Sequence, residues 1–556
     1  MGFRPPLLPH RRGRAALAGL SSAALAATAM ALGSGPATAV PGTGQDDAAG
    51  HFSSQILAAN GDNALDPVLG KYYRIVALAN LGDGVLLAAY DGRPTGGDAP
   101  AANSIIQRRS TDGGKTWGDP TYIARGQVAA EGVQKYGFSD PSYVVDKETG
   151  TVFNFHVYSK DAGFASSQLG NDDADRNVIS AEVSVSTDGG QTWSTDPVNQ
   201  PALPTPASYG PGSPYARFAG PLITGIVKPL GSTASGVANV GGVLGEFASS
   251  GEGIQLQYGP HRGRLIQQFA GTVIQPDGSK TIQAYSVYSD DHGKSWHMGA
   301  PVGTAMDENK VVELSNGDVM LNSRDSAGGG GRKIAISHDG GATYGPITYD
   351  QTLTDPRNNA AIARMFPDAP AGSADAKKLL FSNADNPPFQ RINGTIRYSC
   401  DDGATWSTSR AFAPGLPTSY STVTALGDGR YGVLYEGAGN AITFASFDAQ
   451  WLGPLCGSLS ADPVTVASGR SADVTVKVVN RDGQAFSKGS VSLTLPAGWA
   501  ASEADLPALP PGQSATATLH VSAPATSTPG ASVRVKAVYT AAQGHLDTVI
   551  TATVSQ

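Results

Sequence analysis

The chain has 556 residues, which is long enough for roughly two to four domains and for a core that can hold an enzyme active site. The chain has a net charge of −8, and only 15% of its residues are charged, so nucleic acid is disfavoured as a partner. The many glycines (70) and prolines (37) indicate a globular chain rich in turns rather than one of long helices.

The first 39 residues have the pattern of a secretion signal. Arg11, Arg12 and Arg14 precede an apolar run over residues 15–32, and Ala37-Thr38-Ala39 follows as a small-residue cleavage site. A membrane anchor is the alternative, but the run is rich in Ala and Ser and short for a span of about 20 residues. We therefore expect a mature chain, residues 40–556, that is secreted to the extracellular space and has no membrane span.

An eight-residue motif of the form S-x-D-x-G-x-[TS]-[WY] occurs five times, each time after residues that alternate in polarity. This alternation predicts a strand, and the Asp and Gly of the motif suit a tight hairpin turn with an aromatic anchor. The intervals are too uneven for a solenoid and favour a radial array of four-stranded blades. The copies are STDGGKTW from Ser110, STDGGQTW from Ser186, SDDHGKSW from Ser289, SHDGGATY from Ser337 and SCDDGATW from Ser399.

No motif in the chain points to a nucleotide or a metal ion. Gly114-Lys115-Thr116 resembles the end of a phosphate-binding loop, but Arg109 stands where that loop needs its first glycine. The acidic run at residues 171–175 lacks the glycine and glutamate of a calcium loop, and the nine histidines have no ligand spacing. We expect no metal and no cofactor.

Two later regions differ in character from the repeats. Residues 197–250 are rich in Pro, Gly, Ser and Ala, and lie either over a pocket or on its rim.

Cys400 and Cys456 are the only cysteines, and the sequence leaves open whether they form a disulfide or are two free thiols. After Cys456, alternating segments such as residues 472–478 predict a β-sandwich over 457–556, either a spacer or a weak sugar-binding module.

The five motifs resemble the Asp boxes of sialidases, and the similarity extends from about Tyr72 to Cys456. The resemblance implies an all-β fold, with a six-bladed β-propeller at residues 40–456 and an immunoglobulin-like β-sandwich at residues 457–556. It also implies an exo-α-sialidase that acts on terminal α-linked sialic acid of glycans, as a monomer. A sialyl transferase of the same fold and a non-catalytic sialic-acid-binding lectin are the alternatives.

The same resemblance implies a carboxylate clamp of three arginines. Tyr73-Arg74-Ile75-Val76 is similar to the family's Tyr-Arg-Ile-Pro segment, with Val76 in place of the proline, and supplies the first arginine. Arg324 is similar to the second and Arg391 to the third, with Arg397 as the nearest rival. Glu436 matches the acid that orients Arg74.

Four further residues match the family's reacting and substrate-binding groups. Asp98 matches the acid/base aspartate, Glu308 the glutamate that takes the proton of the nucleophile, and Tyr420 the nucleophile. Asp140 matches a residue that contacts the amide group of the substrate. Glu252 competes with Glu308 for the role of the base.

Overall fold

The computed structural model describes residues 45–47, 50–62, 64–68, 70–132, 134–194, 222–232, 236–386 and 390–556. The expected secretion signal at residues 1–39 lies outside the described residues, and so does much of the 197–250 segment. Within the described residues, no helix has the length and apolar character needed to cross a membrane.

Ahead of residue 457, the described strands form six sheets of four or five strands each. Strands β1 (Gln45–Asp47) and β2 (Gly50–Ala58) come first among the described residues and belong to the last of these sheets. The first sheet contains β3 (Tyr72–Gly82), β4 (Val85–Arg93), β5 (Ser104–Ser110) and β6 (Thr121–Ala124). The second contains β7 (Gly137–Val145), β8 (Val152–Ser159), β9 (Ser180–Ser186) and, after β10 (Val243–Ala248) of the third sheet, β11 (Gly251–Glu252).

The third sheet continues with β12 (Ile254–Gln255), β13 (Leu265–Ile274), β14 (Lys280–Ser289) and β15 (His297–Met298). The fourth contains β16 (Met306–Glu313), β17 (Val319–Asp325), β18 (Gly331–Ser337) and β19 (Thr348–Thr354). The fifth contains β20 (Ala361–Arg364), β21 (Leu379–Ala384), β22 (Ile392–Ser399) and β23 (Thr408–Pro417). The sixth adds β24 (Ser421–Gly427), β25 (Arg430–Glu436) and β26 (Ile442–Asp448) to β1 and β2.

The six sheets close into a ring. Strand β3 contacts β7, β7 contacts β13, β13 contacts β16, β16 contacts β20, β20 contacts β24, and β24 contacts β3 again. The last sheet joins the two ends of this region, because β2 pairs antiparallel with β26 from Phe52 opposite Phe447 to Ala58 opposite Ile442. This arrangement confirms the prediction of a β-propeller.

The repeated motif forms the same turn in all five copies. In the first copy, the Ser110 hydroxyl donates to Asp112 Oδ1 (2.8 Å) and accepts from Gly114 N (2.9 Å). The Asp112 carboxylate then accepts from both the backbone N (2.9 Å) and the hydroxyl (2.6 Å) of Thr116. The same bonds recur in the copies that begin at Ser186, Ser289, Ser337 and Ser399.

Each turn also packs against the neighbouring sheet. Gly114 has a φ of 83° and lies against Phe444 of the sixth sheet so closely that a Cβ would approach that ring to 2.5 Å. Gly293 of the third sheet lies in the same way against Phe153 of the second. The motif therefore serves both the hairpin and the contact between sheets, and glycine is required there because a side chain would collide.

The C-terminal region is a sandwich of two sheets with its own apolar core. Strand β29 (Ser471–Asn480) alternates buried valines with exposed polar residues, as the sequence predicts. One sheet contains β27 (Gly457–Ala461), β29 (Ser471–Asn480), β31 (Ala500–Ala501) and β33 (Ser514–Ser522). The other contains β28 (Val464–Ala467), β30 (Gly489–Thr494), β32 (Ala504–Leu506), β34 (Ser532–Ala541) and β35 (Gly544–Ser555).

Hydrogen bonds join the sandwich to the propeller, and a disulfide holds the residue that directly precedes the sandwich. Cys400 pairs with Cys456, so the structure selects the disulfide from the two alternatives. Asp547 of β35 is almost fully buried and accepts hydrogen bonds from the backbone N and the hydroxyl of Ser409 in β23. The described helices are single turns: α1 (Thr224–Val227), α2 (Ala449–Leu452) and the 3-10 turns Asp375–Lys377 and Ala438–Asn440.

Candidate active site

Three arginines from three different sheets surround the ring of Tyr420. The guanidinium carbons of Arg74 and Arg391 each lie 5.4 Å from the ring centroid. Arg324 Nη1 lies 3.4 Å from the Tyr420 hydroxyl oxygen. Arg74 lies near the start of β3 and Arg324 near the end of β17, while Arg391 and Tyr420 directly precede β22 and β24. The ring of sheets therefore brings together four residues that are far apart in the sequence.

A buried carboxylate fixes the position of Arg74. Glu436, at the end of β25, is fully buried and accepts from Arg74 Nε (2.9 Å) and from the backbone N of Ile75 (2.6 Å). Ile75 has a φ of 58°, which is unusual for a β-branched residue, and the β3–β4 register shifts between Arg74 and Val76. This strained bulge turns both the Arg74 side chain and the Ile75 amide toward one carboxylate.

Tyr420 and Glu308 form a direct hydrogen bond, in which the phenol donates to Glu308 Oε1. The other oxygen, Oε2, accepts from Arg324 Nη1 at 2.6 Å. Burial acts to raise the pKa of Glu308, but Arg324 and the Tyr420 hydrogen bond outweigh it, and the pKa of Glu308 is lowered. Burial and the charge of Glu308 raise the pKa of Tyr420 well above its usual value. The resting pair is therefore a neutral phenol and an ionised carboxylate.

Asp98 lies in the loop after β4, and its side chain is 81% exposed. Its Oδ1 accepts from Arg93 Nη1 at 2.6 Å. Arg93 is fully buried and also donates from Nε (3.1 Å) and Nη2 (2.8 Å) to Asp91. The exposed carboxyl group of Asp98 is thus held by Arg93, which is itself in a buried ion pair with Asp91.

Asp140 is half-buried in β7 beside this ion pair. It has a φ of 65°, and its backbone N donates to Asp91 Oδ1 at 3.1 Å. Burial, followed by the charge of Asp91, raises the pKa of Asp140 well above its usual value, although Arg93 acts against this. Burial also raises the pKa of Asp91 to about 6. Asp98 and Asp140 thus border one cluster, with Arg93 at its centre.

Sequence reasoning missed Arg93 and Asp307. Asp91 and Arg93 are two residues apart in a strand, a spacing that places both side chains on one face, so this pairing was open to prediction. Asp307 precedes Glu308, and its Oδ2 lies 3.7 Å from Arg324 Nε. Burial, followed by the charge of Glu308, raises the pKa of Asp307 to about 7. No signal in the sequence distinguishes Asp307 from other acidic strand residues.

The two rival residues lie elsewhere. Arg397 is buried and pairs with Asp385 (2.7 Å) rather than with Tyr420. Glu252 lines a central cavity of about 140 Å³ together with Thr424 and residues from the inner strands of the other sheets. Burial raises the pKa of Glu252 to about 8. Neither residue contacts the Tyr420 hydroxyl.

The described residues contain no group of three or more His, Cys, Asp or Glu side chains arranged to hold a metal ion. The charged groups that meet around Tyr420 are guanidinium groups and carboxylates. Such a site binds an anion through the arginines and moves protons through the carboxylates.

Three family models match the chain. Residues 251–433 match a BNR repeat-like domain, and residues 184–195 match the BNR/Asp-box repeat. Residues 466–541, within the sandwich, match the NPCBM-associated, NEW3 domain of alpha-galactosidase. These matches place the chain in the class of Asp-box β-propellers with an appended β domain.

The chain is similar to a known sialidase over nearly all of its length. It is 47% identical to a sialidase of Micromonospora viridifaciens over 548 residues, which cover 98% of this chain and 76% of that protein. The structure of a Hadza microbial sialidase superposes with a TM-score of 0.55 at 25% identity, covering 74% of this chain and 69% of that one. An intramolecular trans-sialidase of Ruminococcus gnavus shares the fold, with a TM-score of 0.52 at 20% identity over 70% of this chain and 97% of that one. The chain belongs to the sialidase family and is a glycoside hydrolase.

Proposed function

We propose that this sialidase is a secreted, monomeric exo-enzyme that hydrolyses terminal α-linked sialic acid by a retaining double displacement, with Tyr420 as the nucleophile. The observation that carries the proposal is the hydrogen bond from the Tyr420 phenol to Glu308, inside a ring of three arginines. We further propose the division into a signal at residues 1–39, a catalytic propeller at 40–456 and an accessory sandwich at 457–556. No cofactor enters the reaction.

The three arginines suit a substrate whose carboxylate is attached directly to the anomeric carbon. Arg74, Arg324 and Arg391 remain charged at any physiological pH, and each hydrogen bond from a guanidinium to a carboxylate contributes about 1.5–3 kcal/mol. Glu436 accepts one hydrogen bond from Arg74 Nε and another from the backbone N of Ile75, so this arginine is in place before the substrate arrives. The clamp selects sialylated glycans among sugars because most other glycosides carry no such charge.

A neutral nucleophile is required at this anomeric carbon. The carboxylate of the substrate repels a negatively charged nucleophile, whereas the Tyr420 phenol stays neutral until Glu308 takes its proton. The phenolate oxygen then forms a bond to the anomeric carbon as the bond to the aglycone oxygen breaks. The product of this step is a covalent sialyl-enzyme.

Asp98 supplies and recovers the second proton. Its carboxyl group protonates the departing aglycone oxygen, and the resulting carboxylate takes a proton from the water that attacks the intermediate. The C–O bond to Tyr420 then breaks, and Glu308 returns the proton to the phenol. Two inversions restore the original configuration. Asp140, beside the Arg93 cluster, contacts the amide group of the substrate.

Matched substitutions of the two glutamates test the proposal. Glu308→Gln removes the base and lowers the turnover number by about 10²–10⁴-fold. Glu252→Gln, which removes a half-buried carboxyl from the central cavity, leaves turnover close to that of the unaltered enzyme. Unchanged turnover in Glu308→Gln, or an equal loss in Glu252→Gln, contradicts the assignment of the base.

A further inference from the structure

A buried ammonium group lies two residues after Glu308. Lys310, in β16, is only 3% exposed. Its Nζ donates to Asn359 Oδ1 (3.0 Å), Ser249 Oγ (3.1 Å) and the backbone oxygen of Asn309 (3.3 Å). The three acceptors together use all three protons of the ammonium group, and each acceptor is an uncharged oxygen.

The acceptors are themselves held in place. Ser249 Oγ also accepts from Asn309 N at 2.7 Å. Asn359 Nδ2 donates to the backbone oxygen (3.1 Å) and the hydroxyl (2.9 Å) of Ser250. Ser249 follows β10 and Asn359 precedes β20, so segments from three neighbouring sheets meet at Lys310. The position of the ammonium is therefore fixed by the inner strands of the ring.

The charge of Lys310 has no ion-pair partner among the side chains that the structure describes. Burying an unpaired ammonium is costly, and the three neutral acceptors only partly offset that cost. The favourable charge interaction of the ammonium is with Glu308, and the opposing one is with Arg332. The strand pairing supports this interaction, because Lys310 lies opposite Asn322 of β17 and Glu308 bonds to Arg324, two residues further along that strand. A spacing of two residues places side chains on the same face, so the ammonium and the candidate catalytic base share one face of the sheet.

We propose that Lys310 is a positioning residue of the sialidase reaction, whose ammonium group, held by Ser249, Asn309 and Asn359, keeps Glu308 ionised and able to accept the Tyr420 proton. This inference rests on the proposed role of Glu308. Lys310 acts only through Glu308 and contacts neither the substrate nor the reacting atoms.

The contribution of Lys310 depends on pH in a defined direction. Burial lowers the pKa of Lys310 to about 7, so its charge is present below that pH and is lost above it. An ammonium near Glu308 lowers the pKa of that carboxyl, so removing the charge raises it. Lys310 therefore lowers the pKa of Glu308 only below about pH 7, where the ammonium is charged. The other titratable and charged groups that face Glu308 are Asp140 of β7, Asp307 of β16, Arg324 of β17, Arg332 of β18, Arg391 before β22 and Tyr420 before β24.

The test is the pH profile of kcat/KM for Lys310→Met on an aryl α-sialoside, because kcat/KM reports the ionisation of the free enzyme. We expect the acidic limb of the Lys310→Met profile to lie about one pH unit higher than that of the unaltered enzyme. At a given pH on that limb, kcat/KM is then about tenfold lower in the variant. Above about pH 7 we expect the two profiles to converge. Lys228→Met is the matched control. Lys228 is another buried lysine, bound to Ser167 Oγ (2.8 Å) and Gln168 O (2.6 Å), and we expect its profile to keep the position of the original.

Asn359→Asp is the second variant if Lys310→Met does not fold. It places a carboxylate on the ammonium and cancels its charge, so it moves the acidic limb in the same direction. An acidic limb that keeps its position in the folded variants, or a uniform loss of activity at every pH, overturns the role of Lys310. Glu308→Gln separates the two proposals: if it keeps full turnover, the base assignment fails, and if it loses turnover while Lys310→Met shows no shift, only the present inference fails.

Discussion

The residues around Tyr420 differ sharply in exposure, and this difference matches their proposed tasks. Glu308 and Tyr420 are buried, and in the proposed mechanism they exchange a proton with each other. Asp98 is 81% exposed, and its proposed partner is an aglycone that extends into solvent. Arg93 holds Asp98 through one hydrogen bond of 2.6 Å, so the carboxyl group keeps a defined position. An exposed position of this kind suits a residue that acts on the leaving group.

The substitution Asp98→Asn tests this role through the leaving group. It keeps the acceptor for Arg93 but removes the acid, so kcat/KM on sialyllactose falls by about 10²–10⁴-fold. An aryl sialoside with a good leaving group needs little protonation and loses much less activity. Steady-state kinetics on both substrates provide the measurement. Equal losses on both substrates contradict the role of Asp98 as the acid.

The candidate site was predictable only in part because its residues come from separate sheets. Spacing alone did not distinguish Glu308 from Glu252 or Arg391 from Arg397, and the resemblance to sialidases ranked them. The structure brings Glu308 and Arg391 to Tyr420 and leaves their rivals elsewhere. The spacing of Asp91 and Arg93 left their pairing open to prediction, but no local pattern indicates the contact of Arg93 with the loop residue Asp98.

At the level of secondary structure, the Asp-box hairpin was predictable because its hydrogen bonds are local. In the third copy, Asp291 accepts from the hydroxyl of Ser289 (2.8 Å) and from the backbone N (2.8 Å) and hydroxyl (2.6 Å) of Ser295. The ring closure by β2 and β26 was not predictable, since it joins residues almost four hundred positions apart. Eight residues determine the turn, whereas the whole chain determines the ring.

Asp291→Ala separates the stability of an element from the chemistry of the site. The substitution removes three hydrogen bonds and lowers the free energy of unfolding by about 1–3 kcal/mol. Asp291 contacts none of the candidate residues, so kcat/KM of the folded enzyme stays the same. Asp277→Ala, in the exposed β13–β14 turn, is the control and has a smaller effect because Asp277 accepts a backbone hydrogen bond only from Ser279. Thermal unfolding and kinetics of both variants decide the question, and a loss of kcat/KM in folded Asp291→Ala contradicts a purely structural role.

At the level of the whole molecule, polar contacts hold the sandwich on the fifth sheet, and a disulfide holds the residue directly before the sandwich on the same sheet. Cys400 belongs to the fifth Asp box, and Cys456 precedes β27. Asp547 adds a buried contact to Ser409, and Lys536 donates to the same hydroxyl at 2.9 Å. These contacts hold the sandwich against β23.

Removing the disulfide tests this interpretation. In the chain-entropy view, a crosslink between residues 56 positions apart stabilises by about 4 kcal/mol, and Cys400→Ser/Cys456→Ser loses up to that amount. Denaturant unfolding of the unaltered protein with a thiol reductant should match that of the double variant, which itself should not respond to reductant. Identical unfolding with and without the disulfide contradicts a stabilising bridge.

The central claim, a double displacement through Tyr420, is tested most directly by proton NMR of the enzyme with sialyllactose, followed from the first minutes. A retaining reaction releases α-sialic acid first, and the β anomer then accumulates by mutarotation. We expect the unaltered enzyme to release the anomers in this order, and we expect Tyr420→Phe not to release the α anomer first. First release of the β anomer, or a bound and uncleaved ligand, contradicts the claim.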